Sequence, residues 1–336
     1  MAPAMFVFGD SLVDVGNNNY LFFSLFKVDF PHYGIDYPDQ KATGRYSNGK
    51  NSADFIAEKL GLPSSPPYLA LAQENSNNFF NGVNFASGGS GIYYGLNQYF
   101  GQAVSMDQQI EYYTTVHQEL VQQLGQSAAQ TFLSKSMYVV VIGSNDILSY
   151  FGGLGPSSNN VETPEQRVDT MISNITSQLQ QIYNLGGRKF AMFGVGPVGC
   201  CPAMRVKNNT GVCDEAANYW ASQYNQRLVP ILEQFKSKLD GFQYTYFDTY
   251  NVLQNVVENS TNYGIKESKA ACCGMGVLNA QFPCSPLASY CGNRSDYVFW
   301  DFFHPTQDVA RMAVEAAFDG PVELAFPMNV RQLAAL

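Results

Sequence analysis

What most constrains the fold of this chain is a series of short apolar runs whose hydrophobicity does not alternate. Met137–Ile142, which contains Tyr-Val-Val-Val-Ile, is the clearest, and Met5–Phe8, Val83–Ala86, Lys189–Val195 and Gln243–Phe247 are the other strand candidates. A strand that is apolar on both faces is covered on both, the signature of a parallel sheet flanked by helices. The segments between carry helical patterns: Ser52–Leu60, Met106–Leu124, Pro164–Leu185, Asp214–Leu239 and Pro305–Phe318. Thr163-Pro164-Glu165 reads as an N-cap followed by proline at the first helical position, and Gly186-Gly187 supplies the stop. The alternation predicts a three-layer α/β/α sandwich. In such sheets ligands bind beyond the carboxyl ends of the strands.

The 336 residues suffice for one large α/β domain or two ordinary ones, and 46% hydrophobic against 14% charged residues supplies a sizeable core. Net charge is −9, with no basic cluster, so nucleic acid and anionic membrane surfaces are disfavoured partners. No apolar run approaches the roughly 18–20 residues that span a bilayer. Nothing before Met5 reads as a secretory signal, and the expectation is a chain trimmed of its leader with Met1 added.

That expectation rests on features of an oxidising compartment. The seven cysteines fall in two groups, Cys200/Cys201 with Cys213 and Cys272/Cys273 with Cys284 and Cys291, in loop-like surroundings without a C-x-x-C zinc pattern. Disulfides are expected, although their pairing does not follow from spacing. Glycosylation sequons stand at Asn174, Asn208, Asn259 and Asn293. Together these point to a secreted, disulfide-bonded glycoprotein.

Four strand ends carry suggestive residues: Gly9-Asp10-Ser11-Leu12, Ser87-Gly88-Gly89-Ser90-Gly91, Gly143-Ser144-Asn145-Asp146, and Trp300-Asp301-Phe302-Phe303-His304-Pro305. Taken singly, each reads as a turn, a loop or a helix cap. The chain has three histidines; His32 and His117 lack a neighbouring motif and read as structural or surface residues. His304 lies three residues after Asp301, and Pro305 keeps it out of helix, so a short turn lets the carboxylate reach Nδ1 while Nε2 faces outward. A serine hydroxyl needs such an oriented base to become a nucleophile, and its tetrahedral intermediate needs donors for the oxyanion. Ser11 N–H, a glycine N–H of the second loop and the Asn145 amide are candidates.

Phe6–Asn18, Gly82–Gly89, Ile142–Asp146 and Asp301–Thr306, in this order, resemble the four conserved blocks of the SGNH hydrolase superfamily, specifically the plant-type GDSL esterase/lipases. The likeness runs nearly end to end, including Gly44–Gly49 and Ala271–Gly274. It implies a flavodoxin-like parallel sheet of about five strands with the site at its carboxyl edge. It further implies Ser11 as nucleophile, His304 as base, Asp301 as the orienting acid, and Ser11, Gly89 and Asn145 as the oxyanion hole, with Gly91 the competing alignment for Gly89. It implies no cofactor and no metal. Cys200–Cys213 is the preferred bridge, with one or two more in the second group; Cys201 beside Cys200 leaves that pairing ambiguous. A site joining Ser11 to His304 needs both ends of the chain, which argues for one domain over residues 1–336.

Other signals carry less. Gly194–Gly199 matches G-x-G-x-x-G after a strand, yet Pro197 and the following Cys-Cys-Pro do not open the helix that dinucleotide binding requires. No G-x-S-x-G elbow appears. The aromatic stretch Tyr93, Tyr94 and Tyr99-Phe100 is a candidate lining for an acyl pocket. Three functions stay open: ester hydrolysis, acyl transfer to an alcohol through the same acyl-serine, and an inert binding protein of this fold.

Overall fold

In the computed structural model, described over residues 2–93, 102–152, 162–207 and 211–336, the strand candidates split into four strands and one remnant. β1 (Met5–Gly9), β2 (Met137–Val141), β3 (Lys189–Phe193) and β4 (Gln243–Phe247) lie side by side in that order, all parallel. A two-residue edge strand, Ala325–Phe326, completes five strands by pairing antiparallel with β4. Expected strand Val83–Ala86 is not a strand. It reaches β1 through one bridge, Val7 to Asn84, with Phe85 N–H donating to the Val7 carbonyl and Ser87 N–H to that of Gly9. The ladder ends there because Gly9 N–H, which would donate to the Phe85 carbonyl in the next rung, donates to Gln109 Oε1 instead, while the Asn84 backbone pairs outward with Pro66 and Tyr68.

Counting this remnant, the spatial order is Asn84 segment, β1, β2, β3, β4, the doubly wound arrangement of flavodoxin-like sheets. The chain leaves β1 toward one side and later returns to pair on the other. The crevice opened by that reversal lies beyond Gly9.

Period-two alternation sorts the strand residues onto two cores. Phe6, Phe8, Tyr138, Val140, Phe190 and Met192 pack with residues of Met106–Leu124, Pro164–Asn184 and Glu215–Lys238. Met5, Val7, Val139, Ala191 and Phe247 face the other way, against Ser52–Leu60, Gln307–Asp319 and Val330–Ala335. Three layers result, because each strand buries both faces. The Thr163 cap closes a capping box with Gln166.

A third, smaller core sits outside the sheet. Val28, Tyr33 and Tyr46 pack on Cys272, Cys273, Cys284, Ala288 and Trp300. Disulfides Cys272–Cys291 and Cys273–Cys284 knot this region, and Cys200–Cys213, the preferred pairing, forms as well. Cys201 is a buried thiol, pushed up to about 12 by that burial. No helix among the described residues is long and apolar enough to cross a membrane.

Candidate active site

Ser11 owes its position to the way the chain leaves β1. Asp10 N–H donates to the Val141 carbonyl of the next strand at 3.0 Å, and a Cβ on Gly9 would stand 2.2 Å from that oxygen. Only glycine permits so close an exit. Gln109, fully buried, clamps the same residue: Gly9 N–H donates to its Oε1 and its Nε2 donates to the Gly9 carbonyl, both at 2.8 Å. Asp10 Oδ1 accepts from Leu12 N–H at 3.0 Å, which closes the turn around Ser11.

His304 arrives from the far end of the chain. After the short strand Tyr297–Phe299, the Trp300 N–H donates to the His304 carbonyl at 2.8 Å, closing a tight turn. Inside it Asp301 Oδ1 accepts from the Phe303 and His304 backbone N–H groups at 2.9 and 2.8 Å. His304 Nδ1 lies 2.8 and 2.9 Å from the two carboxylate oxygens, and Nε2 lies 2.7 Å from Ser11 Oγ. Tyr33 donates its hydroxyl to Asp301 Oδ2 at 2.7 Å, and the Tyr46 ring lies 4.9 Å from the imidazole. Burial opposes ionisation of Asp301. The His304 charge and hydrogen bonds from His304, Phe303 N–H and Tyr33 outweigh it and hold the carboxyl below the usual aspartate value. Such a relay can take the Ser11 proton while the carboxylate stays ionised.

The glycine loop is held against this pair by side chains of the turn after Ser11. Asp14 Oδ1 accepts from Gly16 and Asn17 N–H, and its Oδ2 accepts from Gly88 N–H at 3.0 Å. Asn17 Nδ2 donates to the Asn84 and Ala86 carbonyls, and Asn18 Nδ2 to the Gly88 carbonyl. A Cβ on Gly88 would collide with the Tyr46 hydroxyl at 1.8 Å. Gly89, at φ +82°, lines the same cavity as Ser11 and Asn145, whereas Gly91 is absent from its walls. Neither Ser11 N–H nor Gly89 N–H has an acceptor among the described residues. Asn145 sits in the first turn of the helix Ser144–Phe151 and gives one amide hydrogen to the Ser90 carbonyl at 2.8 Å. Beside it Asp146 accepts from the Ile92 and Tyr93 N–H groups, so one helix start holds the C-terminal end of the loop.

These residues open on a cavity of about 320 Å³ whose walls are mainly apolar, Leu12, Phe26, Leu148, Leu253 and Phe303 among them. The carboxyl ends of β1 to β4 all contribute. Gly196, Pro197 and Val198 of the G-x-G-x-x-G match form a wall, and Val195 is fixed by Asn225. Tyr93 departs from expectation: it lies under the Arg167 guanidinium at 4.3 Å and not in the cavity wall, while Tyr94 to Phe100 fall outside the described residues. Asn208 falls outside them too; Asn259 and Asn293 are exposed, and Asn174 is half-buried on a helix. His32 packs on Tyr290 and His117 lies on the helix Met106–Leu124, both away from the cavity. No trio of His, Cys, Asp or Glu among the described residues is arranged to hold a metal ion. Tyr33 and Gln109 carry no signal of their own in the sequence. Both come from segments without a motif, whereas Asp14 lies inside the Phe6–Asn18 block, between Val13 and Val15, with no role assigned to it there.

The GDSL-like lipase/acylhydrolase family model matches residues 5–317. Similar proteins include the GDSL esterase/lipase At5g55050 of Arabidopsis thaliana, 45% identical over 99% of this chain and 90% of that protein. GDSL esterase/lipase At5g37690 of the same plant is 36% identical over 96% of this chain and 90% of its own length. GDSL esterase/lipase At3g50400 is 38% identical over 99% and 91%.

Proposed function

Since the chain belongs to the GDSL-like lipase/acylhydrolase family and is a serine hydrolase of the SGNH type, we propose that it hydrolyses carboxylic esters through an acyl-Ser11 intermediate. The observation that carries this reading is the unbroken chain from Ser11 Oγ through His304 to Asp301, at 2.7 and 2.8 Å, at the foot of an apolar cavity. Ser11 Oγ attacks the ester carbonyl carbon as His304 Nε2 takes its proton. The oxyanion is held by Ser11 N–H, Gly89 N–H and the second amide hydrogen of Asn145. As the intermediate collapses, His304 returns the proton to the departing alcohol. Water then repeats the attack on the acyl-serine, and His304 is again the base. Asp301 remains ionised throughout.

Three disulfides support an oxidising compartment, so we read the protein as secreted, with Asn259 and Asn293 the best-exposed sequons for glycosylation. We read residues 1–336 as one domain, because Ser11 and His304 are 293 positions apart in one site.

The test is covalent labelling with a fluorophosphonate. Labelling of the intact chain that disappears in Ser11→Ala and drops steeply in His304→Ala is expected. Labelling that survives Ser11→Ala overturns the assignment of the nucleophile. A product assay with added alcohols separates hydrolysis from transfer.

A further inference from the structure

We propose that the mouth of the cavity is a docking surface for a neutral or zwitterionic lipid–water interface, an inference that rests on the ester-cleaving reading of that cavity. Among the described residues, two loops form the rim. One is Tyr20–Phe26, whose Leu25 and Phe26 line the cavity while Phe22, Phe23 and Leu25 are 83%, 74% and 82% exposed. The other is the knotted segment from Cys272 to Cys291, whose Pro283 to Ser285 line the cavity while Phe282 and Leu287 are 58% and 90% exposed. The loops are braced against each other, since Val28 and Tyr33 share a small core with Cys284 and Ala288.

Single exposed apolar residues are ordinary, but a cluster at the entrance of an apolar cavity marks a contact surface. Its chemistry selects the partner. Neither Tyr20–Phe26 nor Cys272–Cys291 contains a single Asp, Glu, Lys or Arg. The chain charge of −9 disfavours an anionic surface, and Lys27, which follows the first loop in the cavity wall, is the single Lys or Arg among the described lining residues, too little to attract one. Aromatic and leucine side chains at loop tips enter the headgroup–acyl boundary by burying apolar area alone. The two disulfides keep the second tip in shape, so docking does not have to order it. Docked this way, the cavity opens directly onto the phase in which an apolar ester resides.

The intact protein is tested against phosphatidylcholine vesicles by co-sedimentation, with and without phosphatidylserine, beside the variant Phe22→Ser/Phe23→Ser/Leu287→Ser. Thermal melting of the variant establishes that it folds. Expected are salt-insensitive binding to phosphatidylcholine, weakening as phosphatidylserine is added, and a loss of at least about tenfold in the variant. Turnover of a dissolved acetyl ester should stay unchanged in the variant while turnover of an emulsified long-chain ester falls by a similar factor. Unchanged vesicle binding by the folded variant overturns the proposal. So does a soluble dimer that the same substitutions dissolve while vesicles are ignored. If no ester is turned over yet the variant alone loses vesicle binding, the docking surface stands and the ester reading falls.

Discussion

Asn145 gives one amide hydrogen to the Ser90 carbonyl, which leaves the other free for the cavity. Replacement by alanine removes that donor while its neighbour Asp146 still holds the loop through Ile92 and Tyr93. Asn145→Ala is therefore expected to lower kcat by roughly 10²–10³ with little change in KM, and a loss below about tenfold in steady-state kinetics refutes an oxyanion role. Tyr33→Phe takes one donor from Asp301 and leaves the packing in place. About tenfold in kcat/KM is expected, equivalent to about 1.4 kcal/mol, with Ser11 still labelled by a fluorophosphonate. The sequence points to Ser11, Asn145, Asp301 and His304 through their four blocks taken in order, since each alone reads as a turn, a loop or a cap, and the fold brings them to one cavity. Tyr33 and Gln109 were not legible in it, since their partners lie 268 and 100 positions away and no local pattern announces such a pairing.

At the scale of elements, the β-runs and long helices read correctly because burial on both faces and the 3.6-residue period dominate short windows. Val83–Ala86 misled for a physical reason. It has strand composition and pairs with β1 at Val7, but the ladder goes no further because Gly9 N–H donates to Gln109 Oε1 and not to the Phe85 carbonyl. The edge strand Ala325–Phe326 went unseen because two residues carry no period. The knotted segment is where elements and site meet, as Pro283 to Ser285 wall the cavity beside Cys273–Cys284. The double replacement Cys273→Ser/Cys284→Ser is expected to reduce stability by about 2–4 kcal/mol, measured by denaturant unfolding. It should also lower activity toward bulky esters more than toward acetyl esters. Equal loss on both would mean that this segment only stabilises the fold.

For the whole molecule, three buried aspartates set the response to pH. Burial pushes Asp10 up to about 7 and Asp14 and Asp146 up to about 6, from 3.8. Between about pH 4 and 7 the folded chain thus retains protons that the unfolded chain has released, so these groups weaken the fold as pH rises through that window. Asp36, Asp54 and Asp301 are shifted the other way, and their contribution is lost only as pH falls below the usual aspartate range. Calorimetry should show Tm rising as pH is lowered from about 7.5 to 5.5, and Asp10→Asn should diminish that rise. An unchanged rise would remove Asp10 from the explanation. The 293 positions between Ser11 and His304 have a further consequence, in time. At about 5–20 residues per second, translation delivers the histidine roughly 15–60 s after the serine. On the assignment proposed above, the nascent chain carries its nucleophile through that interval without its base. On that assignment, reactivity is withheld until all four parallel strands have emerged.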